Sequence, residues 1–230
     1  MSQVNYHISS IAGLESEWLD HDASWISLSE QEQLDRLRHQ DRRREWLAGR
    51  WLCKHMIQEE LSLTCQHTMP LSVIEIESLY GGRRTSRPRV IIDGQMQSME
   101  ISITHSNDWI GVALATKSGC SIGIDLVSQT LTNKHSLDVW LTENEKQGVA
   151  ENSDELPIIW SIKESVYKAS NRGELFRPLE MEVYRTLTGE YACHYKALTE
   201  GIDYSIMVDR HADHIFSITT IKNDSLAGVL

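Results

Sequence analysis

Apolar positions along this chain recur at two spacings, and the changes between them mark out the elements. Residues 26–39 (ISLSEQEQLDRLRH) place Ser29 three residues before Glu32, a capping-box pattern ahead of Leu34 and Leu37, and predict a short helix. From about Arg42 to Leu61, Leu47, Trp51, Leu52, Met56, Ile57 and Leu61 recur at helical spacing and predict a longer helix with one apolar stripe. Arg43, Arg50 and Lys54 share another face of it, for which a solvated basic surface is the plain expectation. The period then shortens to two. SVIEIESL (72–79) alternates, and YGGRRTSRPRVII (80–92) is a Gly-rich turn running through Arg87-Pro88 into a strand. EISITHSNDWIGVALA (100–115) predicts a hairpin that turns at Ser106-Asn107-Asp108. CSIGIDLV (120–127) predicts a strand with Ile122, Ile124 and Leu126 on one face and Gly123, Asp125 and Val127 on the other.

The second half repeats this order. Polar residues 128–134 lead to a helix-like stretch at 135–150 and a strong helix at 156–170, whose stripe is Ile158, Ile159, Ile162, Val166 and Ala169. Strand-like segments follow at 180–187, 190–197, 202–208 and 214–221. Both halves thus run helix, long helix and several strands, ending in an apolar hairpin strand. An internal duplication of roughly 110 residues is expected, with a ligand in a cleft between two α+β halves.

Composition narrows the function. The chain has 230 residues, 40% hydrophobic and 24% charged, which is ordinary for a folded globule. Its net charge of −11 argues against a nucleic-acid binder, which needs a basic surplus to neutralise phosphates. That average hides a pattern: residues 1–35 carry −7, residues 36–89 carry +5 and residues 90–230 carry −9. A basic island in an acidic chain points to a phosphate-bearing or acidic ligand. No apolar run reaches membrane-spanning length, and MSQVNYHISS lacks the layout of a signal peptide, so a cytoplasmic protein is expected. Cys53, Cys65, Cys120 and Cys193 form no C-x-x-C pair and are expected as buried free thiols. His211 and His214 lack partners for a metal site and are taken as surface residues.

The chemistry concentrates in WSIKESVYK (160–168). Glu164 and Lys168 lie one turn apart on one helical face, a spacing that also suits an ordinary helix ion pair. Asp125, a carboxylate inside an apolar strand, and His105, at the end of the preceding hairpin's first strand, give that pair its meaning. Two carboxylates from separate elements can hold a hard divalent cation that shares its remaining positions with water and substrate phosphates.

The succession RRREWLAGRWLCKH (42–55), Arg87-Pro88, SITHS (102–106), GIDLV (123–127), LTENE (141–145) and WSIKESVYK (160–168) resembles the 4′-phosphopantetheinyl transferases. Within them it is more similar to the monomeric surfactin-synthetase-activating (Sfp-like) type than to the half-length trimeric holo-acyl-carrier-protein synthases. The resemblance implies an α+β fold of two similar halves related by a pseudo-twofold axis. Residues 1–118 would contribute coenzyme A phosphate binding, and 119–230 metal and catalytic groups. It implies Mg²⁺-dependent transfer of the phosphopantetheine arm of coenzyme A to a serine of an apo carrier protein, with release of 3′,5′-ADP.

Carried over residue by residue, Asp125 and Glu164 match metal ligands, and Lys168 matches the lysine on the pyrophosphate. Lys163 is implied to orient Glu164 or reach a phosphate, and Glu145 to be a general base for the serine. Thr104 and His105 match a Ser-His pair on the coenzyme A phosphates, and Arg87 stands where many relatives have lysine. The 3′-phosphate arginine falls among Arg42, Arg43 and Arg44, with Arg43 and Arg44 preferred. Val127 stands where relatives often carry a second acidic residue, so water is expected to complete the coordination. An acidic carrier is expected to dock near the basic island, around Arg36 or Arg38. A non-catalytic module binding coenzyme A or carrier proteins is the alternative, and a metal-dependent phosphohydrolase a third.

Overall fold

The long apolar stripe of the first half folds as one helix of 25 residues, α3 (Gln40–Thr64), and the elements of that half are arranged against it. The computed structural model describes residues 4–21, 25–64, 68–80, 83–116, 119–130, 134–149, 154–170, 173–195 and 202–222. The chain divides into two units, Met1–Ser118 and Gly119–Leu230. Both mix helices with antiparallel sheet, the expected α+β class.

In the first unit β1 (Val4–Ser10), α1 (Ile11–Asp20), α2 (Leu28–Arg36) and α3 precede β2 (Ile74–Tyr80), β3 (Arg83–Ile92), β4 (Gln95–Ser106) and β5 (Trp109–Ala115). The sheet order is β1-β5-β4-β3-β2, all antiparallel. Trp51 and Ile57 of α3 share a buried core with Ile101, Ile110, Val112 and Leu114 of the sheet. Sequence periodicity assigned nothing to 4–20. β1 is an edge strand with a mostly polar sequence, VNYHISS, and it is ordered by its register with β5, Val4 opposite Ala115 to Ser10 opposite Trp109.

Two expectations for α2 and α3 are corrected. The capping box is formed by Ser27 and Glu30, two residues before the Ser29 and Glu32 read from the pattern. Glu30 is buried against Lys54, whereas Glu32 sits in solvent opposite Arg36 at 3.8 Å, so the buried carboxylate fixes the start of the helix. Nor is the Arg43–Arg50–Lys54 face a solvated one, because Arg50 and Lys54 are buried. Turn residues 81–82 and Cys65 lie outside the described residues.

The second unit runs β6 (Cys120–Ser128), a 3-10 turn (Lys134–Val139), α4 (Glu143–Gly148) and α5 (Glu155–Ser170). A second 3-10 turn (Pro178–Glu180) then leads to β7 (Met181–Arg185), β8 (Tyr191–Tyr195), β9 (Tyr204–His211) and β10 (His214–Lys222). Its strands form β6-β10-β9 and a β7-β8 hairpin. The Tyr204 hydroxyl links β9 to β8 by donating to the Cys193 carbonyl (3.0 Å) and accepting from the Cys193 amide (3.3 Å). The predicted strand 190–197 ends at Tyr195, and 196–197 lie outside the described residues. His214, expected at the surface, is buried, with Nδ1 2.8 Å from Asp213 Oδ1. Cys53, Cys120 and Cys193 are buried free thiols, and burial pushes Cys53 and Cys193 up to about 12, which keeps them unreactive. No helix among the described residues is long and apolar enough to cross a membrane.

Helix α5 lies unusually close to β6 and β10. Buried Ser161 and Ser165 meet Ser217 and Thr219 of β10 at 2.9 Å each, hydroxyl to hydroxyl. At Gly123 the approach is closer still: a methyl there would stand 2.0 Å from the Ser165 carbonyl oxygen and 2.5 Å from the Ala169 nitrogen. Only a residue without Cβ fits. Gly123→Ala must therefore push α5 off the sheet, an overpacking cost of about 1–3 kcal/mol or more. A thermal melt should show a Tm lower by several degrees, while Gly148→Ala, whose added methyl meets nothing within 4 Å, should leave Tm essentially unchanged.

Candidate functional site

The close seam between β6 and α5 gathers three of the predicted residues. Lys168 Nζ donates to the Ile124 carbonyl (3.1 Å) and to Asp125 Oδ1 (2.8 Å), and lies 4.0 Å from Glu164 Oε2. Strand alternation turns Asp125 toward α5, and the four-residue helical step puts Glu164 and Lys168 beside it. The three side chains are 9%, 22% and 27% exposed, so the cluster is recessed and still open to a ligand. Burial holds the Glu164 carboxyl above its usual range, Lys168 pulls it down, and Asp125 raises it further.

Two carboxylates around one ammonium leave an uncompensated negative charge in a partly desolvated place. Among the described residues no group of three or more His, Cys, Asp and Glu side chains is placed to hold a metal ion. Mg²⁺ needs only one or two protein carboxylates when substrate phosphates and water complete its octahedron, so Asp125 and Glu164 fit it. The half-buried Val127 adds no ligand atom.

Lys163 and Glu145, expected at the reaction centre, are instead sealed in protein, with side chains 0% and 1% exposed. Lys163 Nζ donates to the carbonyls of Trp140 (2.7 Å) and Pro178 (3.0 Å) and to Glu145 Oε2 (2.6 Å). Glu145 also accepts from the amides of Thr142 and Val183, both at 2.8 Å. Every partner is a backbone group or the opposite charge, and burial pulls the Lys163 ammonium below its ordinary value against the pull of Glu145. In this structure the Glu145 carboxylate is thus taken up by Lys163 and two backbone amides.

The first unit holds a second cluster. His105, at the end of β4, has Nε2 2.8 Å from Arg42 Nη1, and its Nδ1 lies 3.6 Å from Glu45 Oε1. Glu45 Oε2 accepts from Arg42 Nη1 at 2.9 Å. Glu45 had no place among the residues expected from sequence; its one clue was the three-residue step from Arg42 along α3. Arg43 and Arg44, the arginines preferred from the sequence, have partners within the protein. Arg43 Nη1 donates to the carbonyls of Leu34 (2.5 Å) and Leu37 (3.2 Å) at the end of α2, and Arg44 grips Glu15 at 2.8–3.3 Å. Arg42 is the arginine beside His105. Thr104 is buried, and alternation along β4 turns it away from His105. Arg87 pairs with Glu100 at 3.2 Å. Arg36 is exposed and shares a cavity of about 270 Å³ with Glu32, Glu75 and Glu77, an acidic setting for an expected carrier-docking site.

Residues 121–219 match the family model described as the 4′-phosphopantetheinyl transferase superfamily. No curated protein is significantly similar to the chain. Among solved structures, an ACPS–CoA complex from Chronobacterium ammoniagenes is 17% identical, with 46% of this chain and 98% of that chain covered and a TM-score of 0.37. A Helicobacter pylori holo-[acyl-carrier-protein] synthase in complex with coenzyme A is 16% identical, with 44% and 99% covered and a TM-score of 0.37. A Thermotoga maritima holo-[acyl-carrier-protein] synthase is 14% identical, with 45% and 63% covered and a TM-score of 0.36. Likenesses this distant have no bearing on the activity of this chain.

The raised pKa of Glu164 has a testable sign. Between the ordinary carboxyl value and the raised one the folded chain binds more protons than the unfolded chain. The stabilising contribution of this group is therefore complete below the ordinary value and lost as pH rises through the folded pKa. Glu164→Gln should accordingly raise Tm at pH 7 and change it little near pH 4. Carboxyl NMR titration should find the Glu164 midpoint lowered in Asp125→Asn and raised in Lys168→Met.

Proposed function

We propose that the protein transfers the 4′-phosphopantetheine arm of coenzyme A to a serine of an apo carrier protein in a Mg²⁺-dependent reaction, releasing 3′,5′-ADP. The observation that carries this reading is the Asp125–Glu164–Lys168 cluster at the β6–α5 seam, inside the segment that matches the transferase superfamily.

In the reaction the serine Oγ bonds to the phosphorus bearing pantetheine as that phosphorus parts from the bridging oxygen of the pyrophosphate. Asp125 and Glu164 hold the ion that neutralises the pyrophosphate charge. Lys168, held at the seam by the Ile124 carbonyl and Asp125, has an ammonium ready to swing onto a phosphate oxygen. Arg42 and His105 offer donors to a further phosphate of coenzyme A, with Glu45 in contact with both until the ligand arrives. The serine proton goes to water in this reading, which the burial of Glu145 against Lys163 supports. The monomeric surfactin-synthetase-activating subtype, a cytoplasmic setting and a monomeric state belong to the same proposal.

Incubation with coenzyme A, Mg²⁺ and several apo carriers should add the phosphopantetheine mass to a carrier by mass spectrometry, and Glu164→Ala should abolish the addition. If no carrier gains mass while calorimetry shows coenzyme A binding, the non-catalytic binding module replaces this reading. For the phosphate contact, Arg42→Ala should raise the KM for coenzyme A by about tenfold or more through loss of a charge-assisted hydrogen bond. Arg44→Ala, whose guanidinium serves Glu15, should leave that KM within about twofold of the parent value, as expected for a residue with no ligand contact.

A further inference from the structure

The buried lysine of the second unit has a counterpart in the first. Lys54 Nζ donates to the carbonyls of Trp25 (2.9 Å) and Leu71 (3.1 Å) and lies 2.5 Å from Glu30 Oε2. Glu30 accepts from the amides of Ser27 (3.2 Å) and Ile76 (3.1 Å). Each bond has a partner around Lys163: Trp25 answers to Trp140, Ser27 to Thr142, Glu30 to Glu145, Leu71 to Pro178 and Ile76 to Val183. The local spacings agree. In both units the carbonyl tryptophan precedes the helix cap by two residues, and the glutamate is the third residue of a capping box. In both, the second carbonyl opens a 3-10 turn five residues before the strand amide. A tryptophan three residues before each lysine meets the carbonyl tryptophan edge to face, Trp51 on Trp25 at 5.1 Å and 80°, Trp160 on Trp140 at 5.3 Å and 82°.

The same correspondence extends to the sheets. β1-β5-β4 and β6-β10-β9 have the same order of first, last and penultimate strand. The residue after the first strand donates to an aspartate carbonyl in the last hairpin turn, Ile11 to Asp108 (2.7 Å) and Gln129 to Asp213 (2.9 Å). Those turns begin at Asn107 and Ala212 with φ of 51° and 53°. Carried along these registers, Asp125, Glu164 and Lys168 fall opposite His7, His55 and Glu59. The lysine–glutamate clamp is thus present in both units, and the metal-binding carboxylates and phosphate lysine in one.

We infer that Glu145 and Lys163 are one copy of a duplicated framework clamp, and that in the second unit they act as positioning residues for the neighbouring Glu164, taking no proton from substrate. This deepens the proposed transferase reading and rests on it for its kinetic arm. A group retained where the chemistry is missing answers a folding need: the lysine joins the loop before one helix, the long helix and the turn before a strand, and its glutamate balances the buried charge.

Glu145→Gln and Glu30→Gln in the full chain test it. Each should lower Tm on the order of 10 °C by breaking a buried pair. Glu145→Gln should raise the half-activating Mg²⁺ concentration several-fold and keep the slope of the acidic limb of log kcat against pH, whereas Glu30→Gln leaves the Mg²⁺ requirement within about threefold, since it positions no ligand. An unchanged Tm in Glu145→Gln with kcat lower by about 10²–10⁴ and a lost acidic limb would make Glu145 a general base and overturn the inference. Should Glu145→Gln fail to fold, Glu145→Leu with Lys163→Met removes both charges together; a folded double variant that retains transfer supports the clamp, and a folded one without transfer sinks it. Absence of transfer in the parent protein removes the function proposal alone, because the paired Tm losses of Glu145→Gln and Glu30→Gln still decide the clamp.

Discussion

The second unit depends on how closely α5 can lie on β6. That distance is set by the missing side chain at Gly123 and by hydroxyl pairs between small residues of α5 and β10. With the helix at this depth, a lysine side chain reaches the carbonyl of Ile124 and the carboxylate of Asp125 on the strand beneath it. Were the helix an ångström or two farther out, Glu164 and Lys168 would remain an ordinary surface ion pair. The seam turns them into a recessed cluster with more negative than positive charge, an arrangement costly to the fold and useful to a cation.

Buried charge is used in two ways. Lys54 with Glu30 and Lys163 with Glu145 are fully satisfied networks in which each ammonium has two carbonyls and a carboxylate. Such a network secures loops, helix and strand in one arrangement, and nothing in it is left over for a ligand. Asp125, Glu164 and Lys168 are the opposite case, with exposure to solvent and charge out of balance. Internal balance also explains the basic island at 36–89. Arg44, Arg50, Lys54, Arg87 and Arg89 face carboxylates of their own unit, and Arg43 caps a helix. Arg42 likewise faces Glu45, which it shares with His105 of β4.

Much of the architecture was legible because periodicity reports burial directly. The long helices, the 100–115 hairpin and the 120–127 strand appear close to their expected limits, since each carries an apolar stripe or alternation of its own. β1 escaped notice because an edge strand of polar residues has no such signature and exists through its pairing with β5. The start of α2 was misplaced by two residues because Ser27-x-x-Glu30 and Ser29-x-x-Glu32 are equivalent as patterns, and only the buried Lys54 chooses between them.

For the site, residue type and spacing determined that Glu164 and Lys168 share a helical face and that a strand carboxylate with a glycine two residues before it stands nearby in sequence. These are local facts, fixed by 3.6 residues per turn and by strand alternation. Which charged groups face a ligand and which are locked in the interior was decided by tertiary structure alone. Glu145 and Glu164 are both glutamates in helices with lysine partners, yet one is sealed among backbone groups and the other open at the seam. Arg42, Arg43 and Arg44 are adjacent and chemically identical, yet successive residues point about 100° apart around a helix and so meet different neighbours. Desolvation and partner choice are properties of distances across the fold, and no pattern along the chain records them.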